Sequence, residues 1–387
     1  MTLPKKVDVV VVGAGPTGLT VACTLRAAGL SVLTLDQVAQ GANTSRAAVI
    51  HARTLEVLDE LDVTPRLIAE GCVVPIFTLR DRQRVLARLD FSNLPTPYPY
   101  TLMLPQSRTE AILTERLTEL DGQIYRPWTV TAVTNTATGA EVTATDATGA
   151  SQTVQARYVV GADGLNSVVR TSAGIGFTGD SYLASFVLAD VQLDWPLPSD
   201  EVQLFLSPAG LVVVAPLPAG RHRIVATLDH APETPGADLV QAVLDERGPG
   251  DAHVGDLAWS SRFRVQHRLA DAYRSGSLLL AGDAAHVHSP AGGQGMNTGI
   301  QDAVDLGHTL TAVINDRAAD NALDGYQQRR RPVAEQVVRL TDRATRLATI
   351  QGPIARNGRN LAITLASRIP TVQRRLALQI AELPLTR

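Results

Sequence analysis

The chain has 387 residues, of which 45% are hydrophobic, and its formal net charge is −3. This length exceeds that of one hydrophobic core and predicts two domains, which can be interleaved. The small negative charge gives no basic surface for nucleic acid, and two cysteines exclude a disulfide scaffold or a thiolate metal cluster, so we expect no metal site. No apolar run reaches membrane-spanning length, and a strand that begins by Val7 leaves no room for a signal peptide. We therefore expect a cytoplasmic protein.

The chain opens on a β-branched run, residues 7–12, which is typical of a parallel strand buried on both faces. A glycine motif follows over residues 13–18, then an apolar helical pattern, then a second strand that ends at Asp36. In a dinucleotide fingerprint the glycines let the backbone approach a pyrophosphate, the helix start binds the phosphates, and the acid binds a ribose hydroxyl. The sequence therefore predicts a dinucleotide site, with a strand-helix turn that binds no ligand as the alternative.

The middle of the chain mixes helical and strand-like segments. The run from 201 to 228 alternates strands with Pro/Gly turns, which predicts an antiparallel sheet inserted into the dinucleotide domain. Before it, the pattern predicts helices over 47–60 and 109–120 and strands over 129–133, 141–145 and 155–160. The last of these strands ends in the motif Gly161-Ala162-Asp163-Gly164.

A second glycine-rich loop lies in the last third of the chain. An apolar strand over 278–281 runs into Gly282 and Asp283, and a helix is predicted to begin near Asn297. Amides at a helix start, together with the helix dipole, favour negative charge. Two such loops far apart in the sequence indicate one long cofactor. After Pro332, Arg-bearing amphipathic helices are predicted almost to the C-terminus.

These three motifs, together with segments 45–47 and 51–56, resemble the single-component FAD-dependent aromatic hydroxylases, the class of para-hydroxybenzoate hydroxylase, and within it the phenol and aromatic-polyketide branch. The resemblance covers about residues 5 to 330. It implies an α/β fold with a Rossmann-like FAD-binding domain, a mainly antiparallel substrate domain and C-terminal helices. The implied FAD-binding domain comprises 1–75, 105–178 and 268–330, the substrate domain 76–104 and 179–267, and the helices 331–387.

The resemblance also implies site residues. Arg46, near the flavin and its pyrophosphate, and Pro290, on the flavin face where oxygen is activated, would be catalytic. Asp163 would serve both FAD and the passing NAD(P)H, with bracing of its own turn as the alternative. The other implied FAD contacts are Gly13, Gly15, Pro16, Thr17 and Gly18 at the pyrophosphate, Asp36 at the ribose, Val130 at the adenine, Gln106, Gly282 and Asp283 along the ribityl-phosphate chain, and the Gly293, Gly295, Met296 and Asn297 backbone at the pyrimidine edge.

The implied function is an NAD(P)H-consuming monooxygenase, monomeric or homodimeric, that uses O2 to hydroxylate a phenolic or polycyclic aromatic molecule through a flavin hydroperoxide. Alternating positions from 202 to 214 are predicted to roof its pocket. A non-oxygenating FAD oxidoreductase and a non-enzymatic FAD-binding protein are the alternatives. A flavin-dependent halogenase is excluded, because that chemistry needs a lysine beyond the flavin and the only lysines are Lys5 and Lys6.

Polar residues outside the motifs support weaker predictions. His286 is expected to order its loop rather than to act in catalysis, and the run 329–331 of three arginines is expected to be a solvated helix face. No single base for a phenolic substrate can be selected among His222, Tyr98 and Tyr182.

Overall fold

The computed structural model describes residues 2–41, 47–289, 292–348, 350 and 352–384, without the side chains of 181–184, 264, 265, 343–346 and 348. The helices in this part of the chain are α1 Pro16–Ala27, α2 Ala52–Asp59, α3 Thr64–Glu70, α4 Gln106–Glu119, α5 Val168–Ser172, α6 Ala237–Arg247, α7 Gln294–Ile314, α8 Ala322–Ala348, α9 Pro353–Ala366 and α10 Pro370–Ile380.

The strands between these helices are mostly short, with two long exceptions in the middle of the chain. They are β1 Lys6–Val12, β2 Val32–Leu35, β3 Val49–Ile50, β4 Cys72–Val74, β5 Ile76–Asp81, β6 Arg84–Asp90, β7 Thr101–Met103, β8 Ile124–Tyr125, β9 Trp128–Thr136, β10 Gly139–Asp146, β11 Ser151–Gly161, β12 Phe177–Asp194, β13 Glu201–Ser207, β14 Gly210–Leu217, β15 Arg221–Leu228, β16 His253–Ala270, β17 Arg274–Ser275, β18 Leu278–Leu280 and β19 His286–Val287.

One sheet has a parallel centre, in the order β18-β11-β1-β2-β8, with β17 at its edge and β9 and β10 paired beyond β11. Val9, Val10 and Val11 of β1 are fully buried, as the β-branched run predicts for a strand covered on both faces. Val12 pairs with Gly161, which in turn pairs with Leu280. The three sequence motifs therefore start at the carboxyl ends of three adjacent parallel strands.

The second sheet has the order β19-β16-β12-β15-β14-β13-β5-β6, and its neighbours are antiparallel except for β13 and β5. This confirms the predicted fold class. Helix α6 covers one face of this sheet, where Val240 and Leu244 pack against Val212 and Ile224. The opposite face is turned toward the motif loops. A small third sheet has the order β3-β7-β4, and its central strand contacts β14 of the second sheet.

The start of the segment 47–60 was predicted wrongly as helix. Val49 and Ile50 instead form β3, which pairs with β7, and the helix begins at Ala52. Tertiary pairing overrides the local pattern here, because the fully buried Ile50 belongs to a core that it shares with α1, α2 and α4. Helix α7 also starts one turn earlier than predicted, at Gln294.

The C-terminal helices begin before Pro332 and not after it. Helix α8 runs from Ala322 through that proline, and its early turns are anchored by the fully buried Leu323 and Tyr326. Burial of these side chains offsets the hydrogen bond that a proline removes from a helix. The proposed domain boundary at 330/331 thus falls inside α8, and the domain division stays a prediction. Within the described residues, no helix has the length and apolar content needed to cross a membrane.

Candidate cofactor and substrate site

Backbone hydrogen bonds hold the three motif loops side by side at one edge of the parallel sheet. The Gly13 N–H donates to the Leu35 carbonyl over 2.8 Å, and the Ala162 N–H donates to the Val12 carbonyl over 2.8 Å. The Ala281 N–H donates to the Gly161 carbonyl over 3.0 Å. In open α/β sheets, ligands bind in the crevice beyond the carboxyl ends of the strands, which is where these loops meet.

The first loop has the shape that a pyrophosphate needs. A Cβ atom on Gly18 would lie 1.9 Å from the Gly13 carbonyl oxygen, and one on Gly13 would lie 2.3 Å from the Ala162 carbonyl oxygen. A Cβ on Gly15 would meet nothing within 4 Å, and Gly15 lines the main cleft with Pro16 and Thr17. Two glycines therefore permit close packing of the loops, while Gly15 leaves the start of α1 open to a ligand.

Asp36 is held in place by the loop that it follows. Its carboxylate accepts hydrogen bonds from the Ala14 N–H at 2.7 Å and the Val38 N–H at 2.9 Å. Arg126 lies 3.5 Å from the same carboxylate and donates to the Ala14 carbonyl. Sequence reasoning missed Arg126, because it is about 90 residues from Asp36 and belongs to no motif.

Val130 lies near Asp36, at the same end of the site. It is on β9, two residues after Trp128, whose N–H donates to the Asp36 carbonyl over 2.8 Å. Gln106 begins α4 and lines the cleft. Its side chain accepts from the Ala47 N–H at 3.2 Å and donates to Glu110 at 2.8 Å.

The loop before α7 is fixed by Gly293 and Asn297. Gly293 has a left-handed φ of 65°, and a Cβ there would lie 2.8 Å from the Val49 Cβ. The Asn297 amide donates to the Val49 and Gly293 carbonyls at 2.8 and 2.7 Å and accepts from the His51 N–H at 2.8 Å. Since α7 starts at Gln294, the Asn297 N–H lies within the helix, and the amides left for a ligand are those up to Met296.

A buried cluster of Asp302, His286 and Arg330 packs behind this loop. The fully buried Asp302 accepts from His286 at 2.6 Å and from Arg330 at 2.6 Å. Burial alone would raise the pKa of Asp302, but the Arg330 guanidinium and His286 hold it below its ordinary value. His286 thus orders the loop through hydrogen bonds, as predicted.

The predicted solvated arginine face is wrong for Arg330, whose side chain is only 11% exposed. Arg329 does lie at the surface, where it pairs with Asp305. Arg331 pairs with Glu335 one turn later. The sequence run gave no sign that its middle arginine points inward, because that depends on how α8 packs against α7.

His288 brings an unpaired ring nitrogen to the cleft. Its Nδ1 donates to the Ser289 carbonyl over 3.0 Å, so the tautomer inferred from this bond leaves Nε2 as an acceptor. Nε2 is buried and has no partner within the described part of the chain. Burial lowers the pKa of His288 to about 4, so the ring is neutral at neutral pH and is a weak base.

Asp163 braces its own turn. Its Oδ2 accepts from the Val168 N–H at 2.7 Å at the start of α5, and burial raises its pKa. Its Oδ1 is buried without a partner among the described residues, so the expected cofactor role stays a prediction. Arg170, at the end of the same motif, donates to the Ala284 carbonyl at 2.9 Å and ties the second motif to the third.

A cleft of about 640 Å³ joins these loops to the antiparallel sheet. On the side of the motif loops, the cleft is lined by Asp283, Gly293, Gly295 and Met296. The sheet side is mainly apolar. It includes four residues of the predicted roof, Val202, Leu204, Leu211 and Val213. The prediction did not include five further lining residues, Phe77, Phe186, Leu188, Val225 and Phe263. The Phe186 and Phe263 rings stack with their centroids 5.6 Å apart. Arg223 and Gln266 are polar members of the same wall.

Several candidates lie elsewhere. Arg46 and Pro290, the two implied catalytic residues, fall outside the described residues, as does the Tyr182 side chain. His222 faces away from the cleft, because Arg223 and Val225 of the same strand face into it, and its ring packs against Trp195. The prediction that His222 could be the base for a bound substrate is therefore wrong. Tyr98 packs near Tyr100 and is absent from the described lining.

Comparisons with known proteins agree with this geometry. A family model described as FAD binding domain matches residues 6–341. The 6-methylpretetramide 4-monooxygenase of Streptomyces rimosus is 38% identical over 407 aligned positions, which cover 99% of this chain and 72% of that protein. The structure of an anhydrotetracycline hydroxylase from Streptomyces rimosus superposes with a TM-score of 0.81 at 36% identity, covering 99% of this chain and 78% of that one. That of p-nitrophenol 4-monooxygenase from Pseudomonas putida has a TM-score of 0.88 at 26% identity, covering 99% and 100%.

Proposed function

This chain belongs to the FAD binding domain family and is an FAD-dependent aromatic monooxygenase, and we propose that it takes electrons from NADH or NADPH to hydroxylate a phenolic or polycyclic aromatic substrate with O2. The observation that supports this proposal is that one cleft has the motif loops on one side and a stacked aromatic and aliphatic wall on the other. The names of the similar proteins, which refer to tetracycline precursors and p-nitrophenol, point to the same substrate class.

The residues of the parallel edge fit FAD. Gly13, Gly15 and Gly18, with Pro16 and Thr17, would hold the pyrophosphate. Gly15 leaves the start of α1 open to a ligand, while Gly13 and Gly18 let the loops around it pack closely. Asp36 and the backbone at Val130 would hold the adenosine, and Gln106, Gly282 and Asp283 would hold the ribityl-phosphate chain. When bound, FAD supplies the redox chemistry that carries electrons from the nicotinamide to O2.

The start of α7 would favour negative charge on the ring that it faces. The amides of Gly293, Gly295 and Met296 lie in its N-terminal turn, where the helix dipole adds to their effect. The neutral His288 offers an acceptor nitrogen, Nε2, beside this turn, 3.8 Å from the position of a Cβ on Gly295. Because its pKa is about 4, His288 would orient a hydrogen-bond donor and would not take its proton at neutral pH.

The sheet wall would orient the substrate and exclude water. Phe186 and Phe263 present a stacked pair of rings, and an aromatic ligand can continue such a stack at ring separations of 4.5–7 Å as a rough guide. Leu204 and Val213 add aliphatic surface beside them. Removal of water by this wall would keep the reacting groups from hydrolytic side reactions.

Oxygen incorporation tests the proposal. The FAD-loaded protein is incubated with NADH or NADPH, oxygen-18 gas and a panel of naphthols and larger fused-ring phenols. The masses of the products are measured by mass spectrometry. We expect one labelled oxygen atom in the product for each nicotinamide oxidised. The same protein stripped of FAD should give neither product nor nicotinamide oxidation. Hydrogen peroxide as the sole oxygen product, with ligands that demonstrably bind, would overturn the proposal.

A further inference from the structure

The cleft contains a cation whose charge is already neutralised. Within the described lining, Arg223 is the one side chain of the arginine or lysine type, and only 3% of it is exposed. Asp190 stands directly across from it on β12. The guanidinium donates through Nε to Oδ1 and through Nη2 to Oδ2 of Asp190, each at 2.7 Å. This is the two-pronged geometry in which an arginine binds a carboxylate most strongly.

The rest of the Arg223 guanidinium is also engaged. Its Nη1 donates to the Ala47 carbonyl at 2.8 Å, and the Trp259 ring lies 5.6 Å from its central carbon. A ligand carboxylate would therefore have to displace Asp190 to reach the guanidinium. If Asp190 stayed in place, the ligand carboxylate would lose its hydrating water among apolar side chains such as Phe186 and Leu188. Burying an unpaired charge in this way is costly.

An uncharged oxygen atom has a partner ready in the same wall. The Gln266 side chain lines the cleft, and its Oε1 is buried without a partner among the described residues. Such an oxygen can accept a hydrogen bond from a phenol hydroxyl. If the Gln266 side-chain amide were flipped, its NH2 group would donate a hydrogen bond to a ketone instead. Either partner would satisfy a buried polar atom that otherwise costs stability.

We propose that Asp190 is a specificity-determining residue, which occupies Arg223 so that the cleft binds uncharged hydroxy- and keto-aromatics, held at Gln266, and rejects aromatic carboxylates. This rests on the proposed function in one respect, that the ligand of the cleft is aromatic. Asp190 acts through Arg223 and is not a catalytic residue.

Ligand binding to the FAD-loaded protein tests this without turnover. The absorbance of the bound flavin is followed while 2-naphthol, 6-hydroxy-2-naphthoate or the methyl ester of that acid is added. We expect the wild type to bind 2-naphthol and the ester about tenfold or more tightly than the acid, since the one cationic side chain among the described lining residues, Arg223, is already occupied by Asp190. An acid that binds as tightly as its ester would overturn the proposal, and this comparison needs no variant.

Asp190→Asn should move the preference toward the acid by about tenfold or more, because Arg223 then has a full charge to offer. Adding Arg223→Gln should abolish that gain. The matched control is Asp256→Asn. Asp256 pairs at 2.9 Å with Arg221, which is on β15 like Arg223 but lies outside the cleft lining. The ratio of the acid and ester dissociation constants of this control should equal that of the wild type. A folded, FAD-loaded Asp190→Asn protein with an unchanged ratio, or a gain that survives Arg223→Gln, would overturn the proposal. An intact preference without any oxygenated product would refute the proposed function alone.

Discussion

The two sides of the cleft are built on different principles. The cofactor side is made of backbone: loops bonded to one another at the ends of β1, β11 and β18, with glycines at the points where a Cβ would collide. The substrate side is made of side chains that alternate along antiparallel strands, such as Val202 and Leu204. A backbone site tolerates few residue types, whereas a strand face accepts many apolar ones. Cofactor binding is therefore encoded in local motifs, and ligand preference in pairs such as Asp190 and Arg223.

The largest effect should come from Gly18→Ala on the cofactor side. The new Cβ would lie 1.9 Å from the Gly13 carbonyl oxygen, so the backbone must move. We expect the free energy of unfolding to fall by about 3 kcal/mol or more and FAD to be lost. Urea denaturation followed by circular dichroism, together with the ratio of flavin to protein absorbance, measures both.

Gly15→Ala is the matched control, because a Cβ there meets nothing within 4 Å. Its stability without FAD should change by about 0.5 kcal/mol or less, while its FAD affinity should fall about tenfold or more because the methyl group projects toward the ligand. Equal stability losses in the two variants would break the distinction between packing and ligand-facing glycines.

A comparable loss of stability, without the direct loss of the FAD site, concerns the buried cluster of Asp302, His286 and Arg330. Asp302→Ala would leave Arg330 and His286 buried without their partner, at a cost of about 3–5 kcal/mol in the free energy of unfolding at pH 7. Asp305→Ala, on the same helix, breaks the surface pair with Arg329, which is 50% exposed, and should cost about 1 kcal/mol or less. Chemical denaturation of both variants measures this difference.

The pH dependence of Asp302 has a definite sign. Its pKa in the folded protein lies below the ordinary 3.8, so its contribution is fully present above that pH. It is lost as the pH falls through the lower folded value. The gap between the wild type and Asp302→Ala should therefore not shrink as the pH falls from about 7 to 5. A gap that closes within this range would mean that the cluster is not charged as the structure indicates.

The smallest effect on stability concerns Glu382, which follows helix α10 and contacts α7. Burial raises the pKa of Glu382 to about 8, and Gln301 of α7 donates to its carboxyl group. The folded protein thus keeps a proton that the unfolded chain releases above its ordinary 4.5, so stability falls as the pH rises between these values. Glu382→Gln should be about 1–3 kcal/mol more stable than the wild type at pH 8 and equal to it near pH 4.5.

Urea denaturation across this pH range measures the difference, with Glu141→Gln on an exposed strand position as the control. The control should follow the wild type throughout. If Glu382→Gln also follows the wild type, the carboxyl group is ionised in the folded protein and α10 does not bury it.

Much of the cofactor side was predictable because its signals are local. The run 7–12, the glycines at 13, 15 and 18, and Asp36 lie within about 30 residues, and their spacing alone indicates a strand, a turn, a helix and a strand. Arg126 was missed because nothing within its own segment marks it. The start of β3 was missed because its partner β7 follows about 50 residues later.

By itself, the sequence determined the α/β class, the nucleotide loops and the alternating apolar strands, since each depends on side chains a few residues apart. Only the tertiary structure decided that Arg330 is buried against Asp302, that His222 faces away from the cleft, and that Asp190 occupies Arg223. The physical reason is that burial and pairing depend on which strands and helices become neighbours. A residue type shows what a side chain can do, and packing decides what it meets.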